Sequence, residues 1–179
     1  AQLKNNLAVG QTYLLRSIPL QEIVASTFLI NLIYGTLLAI GAIAVTGTFA
    51  KDAQAFANLQ SSSAIAAIVV LMIVSKITHR FTPTDLGFTA FIMMSLGGFV
   101  AGFAPQFIWF WLGTILILSF DGVFNVYIRT RRMEIIDRKD FGKAIGLLMI
   151  VNNVSKPLSG FLVFALSPWL TVTQILLVV

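Results

Sequence analysis

Long runs of apolar residues constrain this chain more than any other feature of its sequence. A helix needs roughly 20 mainly apolar residues to cross a hydrocarbon core about 30 Å thick, and a membrane-spanning backbone must satisfy its own hydrogen bonds. The chain contains five apolar runs of about this length, and a sixth begins at Trp169 and continues to Val179. The sequence therefore predicts an all-α polytopic membrane protein with six spans, the last one truncated. The five complete runs cover about residues 23–47, 58–75, 86–104, 107–127 and 144–165.

The composition excludes a soluble globular protein. Hydrophobic residues make up 58% of the 179 positions and charged residues 11%, against about 25% charged in a typical soluble domain. The chain has no cysteine and a single histidine, His79, so disulfides and multi-histidine metal sites are excluded. No glycine-rich phosphate loop precedes a Lys and a Ser or Thr. We therefore expect no catalytic residues, no metal and no enzymatic activity.

Basic residues are distributed unequally between the two sides of the predicted bundle. Ten of the 12 Lys and Arg residues fall in segments 1–21, 76–85 and 128–143, whereas the opposite loops contain Lys51 alone. Cytoplasmic loops are enriched in Lys and Arg, so these three segments are predicted to be cytoplasmic in an inner (plasma) membrane. The net charge of +5 thus reflects orientation, and nucleic acid is not an expected partner. Acidic residues interleaved in segment 128–143 predict salt bridges there: Glu134, Asp137 and Asp140.

Two full charges lie inside the predicted spans, Asp121 in the fourth and Lys156 in the fifth. Each costs about 2.5–3.5 kcal/mol at the centre of a spanning helix, so both should face protein or water. Asn125 lies one turn from Asp121 and Asn152 one turn from Lys156, which predicts matched polar faces. These faces either line a water-filled path in which Asp121 titrates, or form a structural ion pair. Lys156 could attract an anionic substrate or neutralise Asp121.

The first span presents a polar stripe at helical spacing. Thr27, Asn31 and Tyr34 recur at i, i+4 and i+7, which places them on one face. They are candidates for lining a substrate cavity, with hydrogen bonding between helices as the alternative. Two pairs of glycines have small-xxx-small spacing and predict close helix packing; these are Gly98 with Gly102, and Gly142 with Gly146.

Several segments resemble the major facilitator superfamily of transporters. Segment 75–84 aligns with the family loop G-x-x-x-D-R-x-G-R-R, in which Arg80 matches while Ser75 and His79 replace the first Gly and the Asp. The stronger match resembles the cytoplasmic crossing between the tenth and eleventh helices. It covers segments 127–132, 140–143, 152–153 and 157–160.

The leading segment extends this resemblance. Its Leu3, Gly10, Tyr13–Leu14 and Pro19–Leu20 are similar to the interfacial helix in the branch of drug and siderophore exporters, which includes the enterobactin exporter and macrolide efflux proteins. The resemblance implies an interfacial linker over residues 1–21 and a C-terminal six-helix transmembrane domain over residues 22–179. That domain would contain two inverted three-helix repeats, 23–104 and 107–179.

The resemblance implies positions for the functional groups. The first and fourth spans would line a central cavity, the second and fifth would flank it, and the third and sixth would face lipid. Thr27, Asn31, Tyr34, Asn125 and Asn152 become cavity candidates, and Asp121 with Lys156 become candidates for proton coupling or ion pairing. The candidates for a cytoplasmic gate are Arg80, Arg129, Arg132 and Asp137.

The sequence thus predicts half of a secondary active transporter that exports a small amphipathic molecule by alternating access. Its energy source would be a proton gradient, with no cofactor, and its partners would be the bilayer, a missing N-terminal six-helix half and the substrate. Both ends of the chain are expected to be cuts in a longer protein. A metabolite or peptide importer of the same superfamily, and a non-transporting helical subunit acting as a scaffold, remain alternatives.

Overall fold

The computed structural model describes residues 2–178, with side chains from residue 7 onward, so the side chain of Lys4 lies outside the described part. Regular structure in this range is helical. Five of the helices are long and apolar enough to cross a membrane, which confirms the prediction of a multi-pass helical bundle. The helices are α1 (Gln2–Arg16), α2 (Ile18–Ile43), α3 (Ala53–Ile77), α4 (Pro83–Gly102), α5 (Phe107–Ile135), α6 (Phe141–Leu166) and α7 (Val172–Val178).

The helices extend beyond the apolar runs because polar residues continue or cap them. Helix α2 begins at Ile18, five residues before the predicted span, where the Ser17 hydroxyl accepts a hydrogen bond from the backbone N–H of Leu20 at 3.4 Å. A short π-helical turn, Ala44–Thr48, continues its far end. Helix α5 continues to Ile135, so three of the arginines assigned to a loop lie on its last turns instead. Hydropathy detects the lipid-facing part of a helix and misses the part that continues into water.

The sixth run forms only a short helix within the described residues. Trp169 is 83% exposed, and α7 begins at Val172 rather than at Trp169. Thr171 and Gln174 explain this start: the Thr171 hydroxyl accepts from the backbone N–H of Gln174 at 3.4 Å, and the Gln174 side chain accepts from the backbone N–H of Thr171 at 2.9 Å. This reciprocal arrangement is a capping box. The final residue, Val179, lies outside the described range.

Helices α2 and α5 each pack against two further helices and, less extensively, against each other. Helix α2 packs against α6 and, less extensively, against α7. Helix α5 packs against α4 and α3, and the Trp111 indole N–H donates to the Ser62 hydroxyl at 2.7 Å across the α3–α5 contact. Helix α3 is otherwise mostly exposed and presents large apolar side chains such as Ile65 and Met72. Helix α1 lies against the start of α6, where Gly10 contacts Leu147 and Ala144.

The glycines at the helix contacts differ from those predicted by spacing. A Cβ atom at Gly98, Gly142 or Gly146 would meet no atom of the described residues within 4 Å, so the prediction of close packing at these three positions is wrong. Gly102 does contact Leu177 of α7. The α4–α5 crossing instead depends on Gly97, where a Cβ would lie 2.7 Å from the carbonyl oxygen of Gly113. Spacing identified the helix but not the face that packs.

Candidate functional site

Helix α2 contributes Tyr34 and Asn31, both half-buried, to a polar face. Thr27 is not part of it: the structure buries this side chain, and its hydroxyl donates to the backbone carbonyl of Ile23 at 2.6 Å. The assignment of Thr27 to a cavity stays a prediction, and no contact of its side chain among the described residues supports it. A hydroxyl that bonds back to the preceding turn satisfies itself within its own helix and needs no ligand.

Helix α5 contributes Asp121 and Asn125. The Asn125 side-chain amide donates to the Asp121 carboxylate at 3.0 Å and to the Asp121 backbone carbonyl at 2.9 Å. Asp121 is half-buried and Asn125 is exposed. Because Asn125 supplies a donor from the same helix, the carboxylate keeps acceptor positions free for water, a cation or a substrate.

Helix α6 contributes Lys156, which is exposed. The backbone of α6 approaches α2 at this level: a Cβ at Gly35 would lie 3.5 Å from the Lys156 Cα and would overlap the Ser159 hydroxyl oxygen. Gly35 thus lets the two helices meet directly beside Tyr34. A larger residue at this position would move Lys156 away from the polar face of α2.

Asn152 does not share the environment of Lys156, although the two residues lie one turn apart. It is 3% exposed, and neither of its side-chain amide atoms has a hydrogen-bond partner among the described residues. The assignment of Asn152 to a cavity stays a prediction; within the described residues α6 turns its side chain towards the packed interior. Burial of an unpaired amide is unfavourable by about 1–3 kcal/mol.

The three helices together form one polar face, defined by Asn31, Tyr34, Asp121, Asn125 and Lys156. Asp121 lies within electrostatic range of both Tyr34 and Lys156. Its carboxylate makes no ion pair within 4 Å in the described part of the chain, where the pairs found are elsewhere. Helix α6 packs on α2 rather than on α5. The helices that carry Asp121 and Lys156 are therefore not direct neighbours, and the two side chains do not form an ion pair. Both charges therefore remain accessible on one face of the bundle.

The four gate candidates form no ion pair with one another in the described part of the chain. Arg80 is exposed and donates to the His79 ring at 3.3 Å, Arg129 is exposed, and Asp137 accepts a hydrogen bond from Tyr13 at 3.1 Å. Arg132 is 4% exposed, and its Nε and Nη2 have no partner among the described residues. The charge-rich sequence around Arg132 did not predict this burial.

Two salt bridges do form where the interleaved charges predicted them. Arg131 contacts Glu134 at 2.6 Å, and Lys143 contacts Asp140 at 3.0 Å. Both join residues three apart along the chain, and their exposure limits their contribution to stability. Each salt bridge neutralises one acidic residue near the α5–α6 connection. The acidic residues described there do not form a group that could hold a metal ion.

Tyr13 connects α1 to the α5–α6 connection, a contact that the sequence did not predict. Its hydroxyl donates to the Asp137 carboxylate at 3.1 Å and lies 3.5 Å from the Asp140 carboxylate. Burial, followed by the hydrogen bond to Asp137, raises the pKa of Tyr13 above its usual value of 10.0. The neutral phenol is therefore favoured in the folded protein. This contact contributes fully below pH 10 and is lost as the pH rises through the raised pKa.

We expect Tyr13→Phe to release α1 at neutral pH and to abolish the alkaline release of the wild-type helix. Hydrogen–deuterium exchange of the α1 amides measures both effects. Thr12→Val is the matched control, because the Thr12 hydroxyl bonds to its own helix at Ala8. If the α1 amides of Tyr13→Phe and the wild type exchange equally at neutral pH, the hydroxyl does not hold α1.

Comparisons of the chain with protein-family models, with curated proteins and with solved structures found no match.

Proposed function

We propose that the chain is the C-terminal half of a major facilitator superfamily transporter, which exports a small amphipathic molecule in exchange for protons. The observation that carries the proposal is the polar face in an otherwise apolar bundle. Asp121 and Lys156 cost free energy in a membrane, and a charge pair retained there without a direct ion pair is typical of a substrate or ion pathway. The face offers an acceptor, a cation and the aromatic ring of Tyr34, which suit an amphipathic molecule.

The pattern of helix contacts supports this architecture. In two related repeats, α2, α3 and α4 would correspond in order to α5, α6 and α7. A contact of α2 with α6 then requires an equivalent contact of α5 with α3. Likewise, a contact of α5 with α4 requires one of α2 with α7. All four contacts occur. Repeats of this kind with a binding site near the midplane are typical of secondary transporters.

The exposed helices support a missing partner. Helix α3 leaves large apolar side chains such as Ile68 and Val69 exposed, as expected of a helix at the edge of the bundle, with lipid on one side and a second half on the other. The excess of basic residues at one end of the bundle would place that end in the cytoplasm of the inner (plasma) membrane. In this arrangement the polar face lies between the two halves.

The proposed mechanism uses the charge of Asp121 as a switch. Protonation would remove its negative charge and weaken its attraction to Lys156 or to a cationic substrate. The helices could then move against the other half, which would open the polar face to the opposite side. Deprotonation on the cytoplasmic side would restore the charge and reset the cycle.

Reconstitution tests this function. We expect the full-length protein that contains this chain, in proteoliposomes with an imposed pH gradient, to move ethidium or a catecholate siderophore against its concentration gradient. An uncoupler should abolish the movement. Uphill transport in the direction of uptake would favour the importer. Absence of both transport and substrate-dependent stabilisation would favour the scaffold, since a ligand at 100 times its dissociation constant stabilises by about 2.7 kcal/mol.

A further inference from the structure

A cavity lies between α3, α4 and α5 and shares no lining residue with the polar face. It has a volume of about 250 Å³ and an apolar lining that includes Val74, Ile77, Phe81 and Val123, with Thr89 at its α4 wall. From Val70 to Ile77 the cavity follows α3 for about 10 Å. In a bilayer such an opening on an exposed helix is accessible to acyl chains.

Two basic residues are adjacent in sequence to lining residues at one end of this groove. Lys76 and Arg80 directly precede the lining residues Ile77 and Phe81, and both are exposed. Neither makes an ion pair with an acidic side chain within 4 Å in the described part of the chain. The closest acidic residue in sequence is Asp85, and it is already engaged. Its carboxylate accepts from the Thr82 hydroxyl at 2.7 Å and from the Thr82 backbone N–H at 2.9 Å.

We propose that this groove binds an anionic phospholipid of the bilayer, with an acyl chain against α3, α4 and α5 and its phosphate at Lys76 and Arg80. The apolar groove by itself accepts the acyl chain of any lipid. The unpaired cations at its end make it selective, because basic residues at the membrane surface attract anionic headgroups. The site does not depend on the transport proposal, since it shares no residue with the polar face.

Native mass spectrometry of the detergent-purified chain tests the site. The probes are dioleoylphosphatidylglycerol and dioleoylphosphatidylcholine, which have the same acyl chains and differ in charge. We expect phosphatidylglycerol to bind more tightly. The variants K76Q and R80Q should each lower its affinity about five-fold, and the double variant should bind the two lipids equally.

A second variant tests the groove itself. T89F places a ring in the cavity and should lower the occupancy of both lipids, whereas S95F, on an exposed position of the same helix, should not. K51Q is the control for charge, because Lys51 is an exposed basic residue at the opposite end of α3. The proposal is overturned if the wild type binds both lipids equally, if K51Q loses as much affinity as K76Q, or if T89F retains full binding.

Discussion

Replacing Asp121 with Asn is expected to reduce pH-driven efflux by the full-length protein to the level of empty vesicles. Asn keeps the size of the side chain and can still accept the hydrogen bond from Asn125, which is 3.0 Å long in the wild type. It cannot bind and release a proton. The measurement is uphill dye or siderophore movement in proteoliposomes under an imposed pH gradient. Downhill exchange without a gradient should persist, because the polar face retains its shape.

Folding and coupling can be separated in this variant. Removal of a charge costing about 2.5–3.5 kcal/mol in a membrane helix should leave thermal stability unchanged or higher, so a loss of transport with normal melting indicates lost coupling. Asp52→Asn is the matched control: Asp52 caps α3 by accepting from the backbone N–H of Ala55 at 2.8 Å, and Asn is an equally good cap. Unchanged uphill efflux by Asp121→Asn would show that Asp121 does not couple protons.

The double variant Asp121→Asn with Lys156→Gln distinguishes the two functions considered for these charges. If they only neutralise each other, removal of both should restore efflux. If Asp121 carries the proton, the double variant should stay uncoupled. The absence of an ion pair within 4 Å between them in the described chain favours the second outcome.

Replacing Gly97 with Leu is expected to lower the free energy of unfolding by about 3 kcal/mol. A Cβ at this position would lie 2.7 Å from the Gly113 carbonyl oxygen and 2.9 Å from the Leu116 Cβ. The first of these contacts is with backbone, so it can be relieved only by separating α4 from α5. Thermal denaturation in detergent, followed by the fluorescence of Trp109 and Trp111 on α5, measures the loss.

Gly98→Leu is the matched control for this prediction. It makes the same chemical change one residue further along the same helix, where a Cβ would meet nothing within 4 Å in the described chain. We expect its melting to match the wild type, since the new side chain points away from α5. Equal melting temperatures for the two variants would contradict the observed α4–α5 contact.

The helices could be predicted from the sequence because the bilayer imposes a strong and local requirement. An apolar run long enough to span it must form a helix that satisfies its own backbone, whatever its neighbours are. The predicted helix bounds are less accurate where a helix leaves the bilayer, because the requirement no longer applies there. Helix α5 continues to Ile135 through positively charged residues, since cations near a helix C-terminus interact favourably with its dipole.

The candidate site was predicted in part for the same reason. A charge inside an apolar run is visible in the sequence, so Asp121 and Lys156 could be identified from it. The sequence could not show whether a neighbouring polar residue shares the environment of these two charges. Asn152 is one turn from Lys156, yet the first is buried and the second exposed, because the packed side of α6 carries Asn152 together with the buried Leu148 and Ser155.

Sequence alone determined which segments are membrane helices and which charges they carry, since both follow from the transfer of local groups between water and lipid. Tertiary structure alone decided which face of each helix is packed. Successive residues in a helix point about 100° apart, so Gly97 meets α5 while Gly98 does not. Contacts between residues far apart in the chain, such as Tyr13 with Asp137, leave no periodic signal and arise only when the helices assemble.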